Sequence, residues 1–318
     1  MTMLKYLIIL LDDTAVSFCH YPNGKSEKRP ISIADLKAGI LFAMKQNLMI
    51  HYVYPSYDLP AAYRDAIETT DHVKIIPAGS EYAISADVRV FDSWEQFSNE
   101  TQTNDDGKVF VLRTGMQELF HHSANLESRL NCISRLNIVI TDMETFSEED
   151  FDAYRQWLSD FGSVVAESYR KGKLPEINLL TDRITLNQSN GCNAGCEHIT
   201  LAPNGRFYQC PAFYLEDEDD SIGEPKIGLN LKNPQLYRLE YAPLCRHCDA
   251  FQCKRCVWLN RKTTLEINTP SREQCVVAHL ERNASADICN QLKPAGFFAD
   301  VEIPVIDYTD PFDIRDRF

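Results

Sequence analysis

The chain has 318 residues, 44% hydrophobic and 25% charged, enough to bury one large core or two smaller ones. Its formal net charge of −14 argues against nucleic-acid binding, which needs basic surface, but leaves a basic peptide open as a partner. No stretch reads as a membrane span or a secretory signal, so a cytoplasmic location is expected, where eleven cysteines point to metal or redox work rather than to disulfides.

The opening MTMLKYLIILLDDT carries an apolar run that Asp12 and Asp13 cut off, and residues 4–11 read as a buried strand. Asp12, Asp13 and Thr14 end that strand, a place where open sheets and barrels bind ligands and where a solvated turn is as common. Ser32-x-x-Asp35 then opens an amphipathic helix carrying Leu36, Ile40, Phe42, Ala43 and Met44. LMIHYVYP, HVKIIP, ADVRVF, KVFVLRT, LNIVITD and EINLL follow as further short apolar runs of buried-strand length. His121-His122 falls on a helix, where surface histidines are the rule. Ser147-x-x-Asp150 opens another helix, with Phe151, Tyr154, Trp157, Leu158 and Phe161 at helical intervals. Strand–helix alternation of this kind predicts an α/β fold, an open sheet or a full or partial (β/α) barrel. No G-x-G-x-x-G or Walker sequence follows any strand.

Near residue 185 the character changes. ITLAPNGRFYQC reads as a hairpin turning at Asn204-Gly205, LEDEDD (215–220) as a solvated acidic loop, and the tail after 293 as a loosely packed extension. The domains expected are 1–185, 186–292 and a tail over 293–318.

Nine of the cysteines lie after residue 187. They read C-x3-C-x13-C (Cys192, Cys196, Cys210), then C-x2-C-x4-C-x2-C-x18-C (Cys245, Cys248, Cys253, Cys256, Cys275), then Cys289. Close C-x2-C pairs put two thiolates on one metal centre, and eight such ligands would complete two four-coordinate sites. Soft thiolates select zinc or iron–sulfur clusters, and spacing does not separate the two. Arg246, Lys254, Arg255, Arg261 and Lys262 crowd the same segment and could offset an anionic cluster. His198, His247 and His279 flank the cysteines, where a hydrogen bond to sulfur and plain packing are equally open. Isolated Cys19, Cys132 and Cys289 read as inert core thiols.

At these residues the chain resembles the SPASM domain of radical S-adenosylmethionine (SAM) peptide-modifying enzymes. CNAGCEHITLAPNGRFYQC (192–210) is similar to the hairpin of that family, and CRHCDAFQCKRC followed by Cys275 to its second half. The usual C-x2-C-x5-C-x3-C is here one residue shorter in each of the last two gaps. CKRCVWLNRK and SREQCVVAHLERN look like the bacterial CXXX-repeat peptide maturase family. The resemblance covers residues 187–285 and is only topological before them. It implies a partial (β/α) barrel-like domain of degenerate radical SAM type followed by a cysteine-rich SPASM domain. It also implies two interleaved [4Fe–4S] clusters, one held by Cys192, Cys196, Cys210 and Cys256, the other by Cys245, Cys248, Cys253 and Cys275. The departure is at the front: radical SAM enzymes carry C-x3-C-x2-C after the first strand, and DDTAVSFCHYPNGK offers Cys19 alone.

The resulting expectation is an iron–sulfur protein in the maturation of a ribosomally made peptide, binding that precursor peptide and serving a separate radical SAM enzyme. No SAM is expected on this chain, and no catalytic residue is assigned. The alternatives are a SAM-independent iron–sulfur redox enzyme and an interaction module stabilised by two Zn²⁺.

Overall fold

Each apolar run of the first 180 residues is a strand. In the computed structural model, which describes residues 4–100 and 107–313, β1 (Tyr6–Leu10), β2 (Met49–Val53), β3 (His72–Pro77), β4 (Val88–Phe91), β5 (Val109–Thr114), β6 (Arg135–Ile140) and β7 (Glu176–Ile177) lie side by side in chain order. All six neighbouring pairs are parallel, so every link must cross back over the sheet, and helical segments make those crossings. Helix Ile33–Gln46 starts where Ser32 Oγ accepts the Asp35 backbone N–H at 3.0 Å, and helix Glu148–Arg170 starts on a full capping box between Ser147 and Asp150. The mixed α/β fold with a large parallel sheet is the one expected from the sequence.

Alternate residues of β1 serve two cores. Leu7 and Ile9, with Leu11 just past the strand, pack with Leu36, Ile40 and Ala43 of helix Ile33–Gln46. Ile8 and Leu10 face the other way, with Val53, Ile75, Val90 and Val111 from the neighbouring strands.

β1 also has a second neighbour. β8 (His198–Leu201) pairs with it in parallel, and β9 (Phe207–Tyr208), β10 (Gly223–Glu224) and β11 (Gly228–Leu229) extend the sheet in antiparallel fashion. The β8–β9 turn runs through Gly205 at φ +78°, and a Cβ there would come within 3.0 Å of the Asp35 carboxyl, so glycine meets both demands.

Helix Arg272–Leu292 packs along helix Glu148–Arg170. Val276, Val277, Leu280 and Ile288 share one core with Leu158, Phe161 and Val165. The tail is better anchored than its composition suggested. Phe297, Val301 and Ile303 pack on that core, and Asp310 pairs with Arg272. Residues 314–318 of the expected tail lie outside the described residues. Among the described residues no helix is long and apolar enough to cross a membrane.

Candidate metal centres

The cysteines sit on short, tightly turned segments. Cys192 and Cys196 belong to the turn before β8, in which Asn193 and Gly195 take φ values of +53° and +78°. Cys210 directly precedes helix Pro211–Glu216. The Cys248 N–H donates to the Cys245 carbonyl at 3.2 Å, closing one C-x2-C pair. In the other pair Arg255 takes φ +44°, and Cys256 Sγ accepts the Leu259 N–H at the start of helix Val257–Thr264. Cys275 lies in the first turn of helix Arg272–Leu292.

Cys245, Cys248, Cys253 and Cys275 all line one cavity of about 200 Å³. His279 stands on its wall with Nε2 3.6 Å from Cys248 Sγ. Its Nδ1 lies 3.0 Å from the Thr309 carbonyl, which can only accept, so Nδ1 carries the proton. A larger cavity of about 440 Å³ lies against the inner face of the sheet, and Cys192, Cys210 and Cys256 line it. Cys253 touches both cavities. His198 Nε2 is 3.9 Å from Cys192 Sγ, and burial pushes its pKa down to about 3, so the ring stays neutral.

Two thiols depart from the expected arrangement. Cys196 is not on the wall of the larger cavity; its Sγ lies 4.0 Å from the Pro234 carbonyl. Cys19 is on that wall, brought there by the loop after β1.

Burial pushes the Cys245 thiol up to about 11 and the Cys253 and Cys256 thiols up to about 12. Cys192, Cys210, Cys248 and Cys275 move upward for the same reason. Such thiols keep their protons at neutral pH until a metal centre displaces them.

Arg255 lines both cavities. It is only 3% exposed, and its Nη2 donates to the Tyr237 carbonyl. Nε and Nη1 have no partner. A buried cation with unmet N–H groups is costly, and an anionic group in either cavity would relieve it. Two four-thiolate iron–sulfur clusters fit this donor set and this charge. Among the described residues no group of three or more His, Cys, Asp or Glu side chains is arranged to hold a metal ion.

The larger cavity also holds groups that the sequence reading did not single out. Gln252 Oε1 is buried there without a partner. Burial pushes the Glu281 carboxyl up to about 7, while Tyr154 Oη donates to it at 3.0 Å. Gln274, Val277, Ala278 and Glu281 all line this cavity, and their i, i+3, i+4, i+7 spacing was the available signal.

Other sequence candidates lie elsewhere. Asp12 accepts from Tyr57 Oη and from the Thr14 N–H and hydroxyl, and Asp13 pairs with Arg29 and Tyr214, so both carboxylates clasp the chain rather than face a ligand. His122 stacks on Trp94 at 4.9 Å, beside an open polar cleft past the ends of β4, β5 and β6. His247 is exposed. The acidic run is not merely solvated: Glu216 and Asp220 hold Arg261, while Glu218 holds Lys25 and Arg29.

No family model and no curated protein matches the chain. Solved structures do share its fold. "Native anSMEcpe with bound AdoMet and Cp18Cys peptide" aligns with a TM-score of 0.55 at 11% identity, covering 92% of this chain and 98% of that one. The same protein with AdoMet and Kp18Cys peptide gives 0.54 at 10% identity, again over 92% and 98%. Its polyhistidine-tagged form with AdoMet gives 0.52 at 9% identity, over 96% and 97%.

Proposed function

We propose that this chain is an iron–sulfur SPASM protein that acts in maturing a ribosomally made peptide, of the CXXX-repeat kind that its second half resembles. It serves a separate radical SAM enzyme by binding the precursor peptide or by passing electrons. The observation that carries this reading is Arg255, a buried guanidinium with two unmet N–H groups that lines both thiol-lined cavities.

Cys245, Cys248, Cys253 and Cys275 would hold one cluster, and Cys192, Cys210 and Cys256 would give three thiolates to the other. When bound, such clusters supply one-electron transfer at potentials set by burial, charge and hydrogen bonds to sulfur. The chain's own residues supply the rest. Arg255 offsets the negative charge of both sites. His198 Nε2 faces the Cys192 sulfur and can donate a hydrogen bond that fixes its orientation. The apolar wall formed by Ile8, Ile75, Val109 and Val111 excludes water from the larger cavity. Gln252 Oε1 and the Glu281 carboxyl offer acceptors to a peptide N–H there, and Glu281 can take or give a proton near pH 7.

Reductive SAM cleavage needs a cluster with one iron not held by protein, placed after the first strand. Residues 12–26 contain one cysteine, and Asp12 and Asp13 are tied into local clasps. The chain therefore acts with a partner. The test is incubation with SAM and dithionite, with and without a radical SAM enzyme and precursor peptide. The single chain should give no 5′-deoxyadenosine above background; robust turnover by it alone would overturn the assignment.

A further inference from the structure

The loop after β1 contains one cysteine, and the fold brings it to the larger cavity beside Cys192, Cys210 and Cys256. These thiols are close enough that charge on Cys192 or Cys256 opposes charge on Cys19. Cys196 is not on this wall, and its Sγ lies 4.0 Å from the Pro234 carbonyl.

The loop is held in place. Arg113 Nε donates to the Cys19 carbonyl and Nη2 to the Tyr21 carbonyl, both at 2.9 Å. His20 Nδ1 lies 2.9 Å from the Ile140 carbonyl, and Phe18 meets Tyr21 edge-on. Arg113 also pairs with Asp92 at the end of β4, so three elements of the barrel fix the Cys19 backbone. An independent observation favours an anion here: buried Arg255, with unmet Nε and Nη1 N–H groups, lines this cavity as well as the smaller one.

We propose that Cys19 is the fourth thiolate of the first cluster site, completing it with Cys192, Cys210 and Cys256 in place of Cys196. This rests on the iron–sulfur reading above. Ligation would replace the thiol proton of Cys19, as for the other three ligands. The barrel half and the cysteine-rich half would then share one metal centre, and the only thiol of the β1 loop would be committed to it.

The test compares wild type, Cys19→Ala, Cys19→Ser and Cys196→Ala, each reconstituted anaerobically as the full chain and assayed for iron and sulfide. Wild type and Cys196→Ala should hold about eight iron, and both Cys19 variants about four, from the second site alone. Those remaining four also show that the variants have folded. Retention of about eight iron by the Cys19 variants, loss of iron by Cys196→Ala, or loss of all iron by both Cys19 variants would each overturn the proposal. A wild type without iron would instead remove the iron–sulfur reading itself, so the two failures are distinguishable.

Discussion

Tyr6 and His198 are in register across the β1–β8 pair, and their rings stack with centroids 4.7 Å apart. The stack turns His198 Nε2 toward Cys192 Sγ, so the first strand of the barrel helps to orient a thiol of the cysteine-rich half.

His198→Leu should therefore lower the reduction potential of one cluster and leave the other unchanged. A neutral imidazole can donate one hydrogen bond to a ligand sulfur, and such bonds raise cluster potentials. An electron paramagnetic resonance redox titration checks this; equal shifts in both clusters, or in neither, would count against the placement of His198.

Arg255→Met should act oppositely on the empty and the loaded protein. In the empty chain it removes a buried cation with two unmet N–H groups, each costing about 1–3 kcal/mol, so the melting temperature should hold or rise. In the loaded chain it removes the charge that offsets two anionic clusters, so the potentials should fall. Equal destabilisation of both forms would show that the residue only packs.

The thiols give the empty protein a distinctive alkaline profile. Burial raises Cys245 from 9.0 to about 11 and Cys253 and Cys256 to about 12, so the folded chain retains protons that the unfolded chain releases. That contribution is complete below about pH 9 and is lost as pH climbs toward 11–12. Urea unfolding at pH 8 and pH 10.5 should show the empty protein losing more stability than the reconstituted one, whose ligand thiols carry no protons.

Glu281→Gln tests the polar wall of the larger cavity. The carboxyl is raised from 4.5 to about 7 by burial, so its stabilising neutral form is fully present below pH 4.5 and is lost as pH rises through 7. The variant should match wild type near pH 4 and exceed it near pH 8 by at most about 3 kcal/mol, taking 1.36 kcal/mol per pKa unit. Equal stabilities at pH 8 would place the ionised carboxylate in a better-solvated setting than the cavity suggests.

The strands were legible because buried parallel strands leave unbroken apolar runs, and LNIVITD needed no partner to be recognised. The β8–β9 turn was legible because Asn204-Gly205 supplies a positive φ locally. The pairing of β8 with β1 was not, since nothing near His198 records an edge formed by Tyr6–Leu10. The four thiols that line the smaller cavity are those that the family resemblance groups together. The cysteine spacing gave no view of where the Cys196 and Cys19 side chains lie, because the direction of a side chain depends on the turn carrying it: Cys196 follows the turn of Asn193 and Gly195 and lies near Pro234, and Arg113, remote in sequence, holds the Cys19 loop. The LEDEDD run read as solvent-facing because its partners Lys25, Arg29 and Arg261 come from distant segments.

The central claim is that two thiol-lined cavities hold iron–sulfur clusters around one buried arginine. Anaerobic reconstitution of the full chain, followed by absorbance spectroscopy with iron, sulfide and zinc analysis, tests it most directly. The account predicts a brown protein with about eight iron and eight sulfide per chain and no stoichiometric zinc. A colourless protein carrying stoichiometric zinc and no sulfide would contradict it.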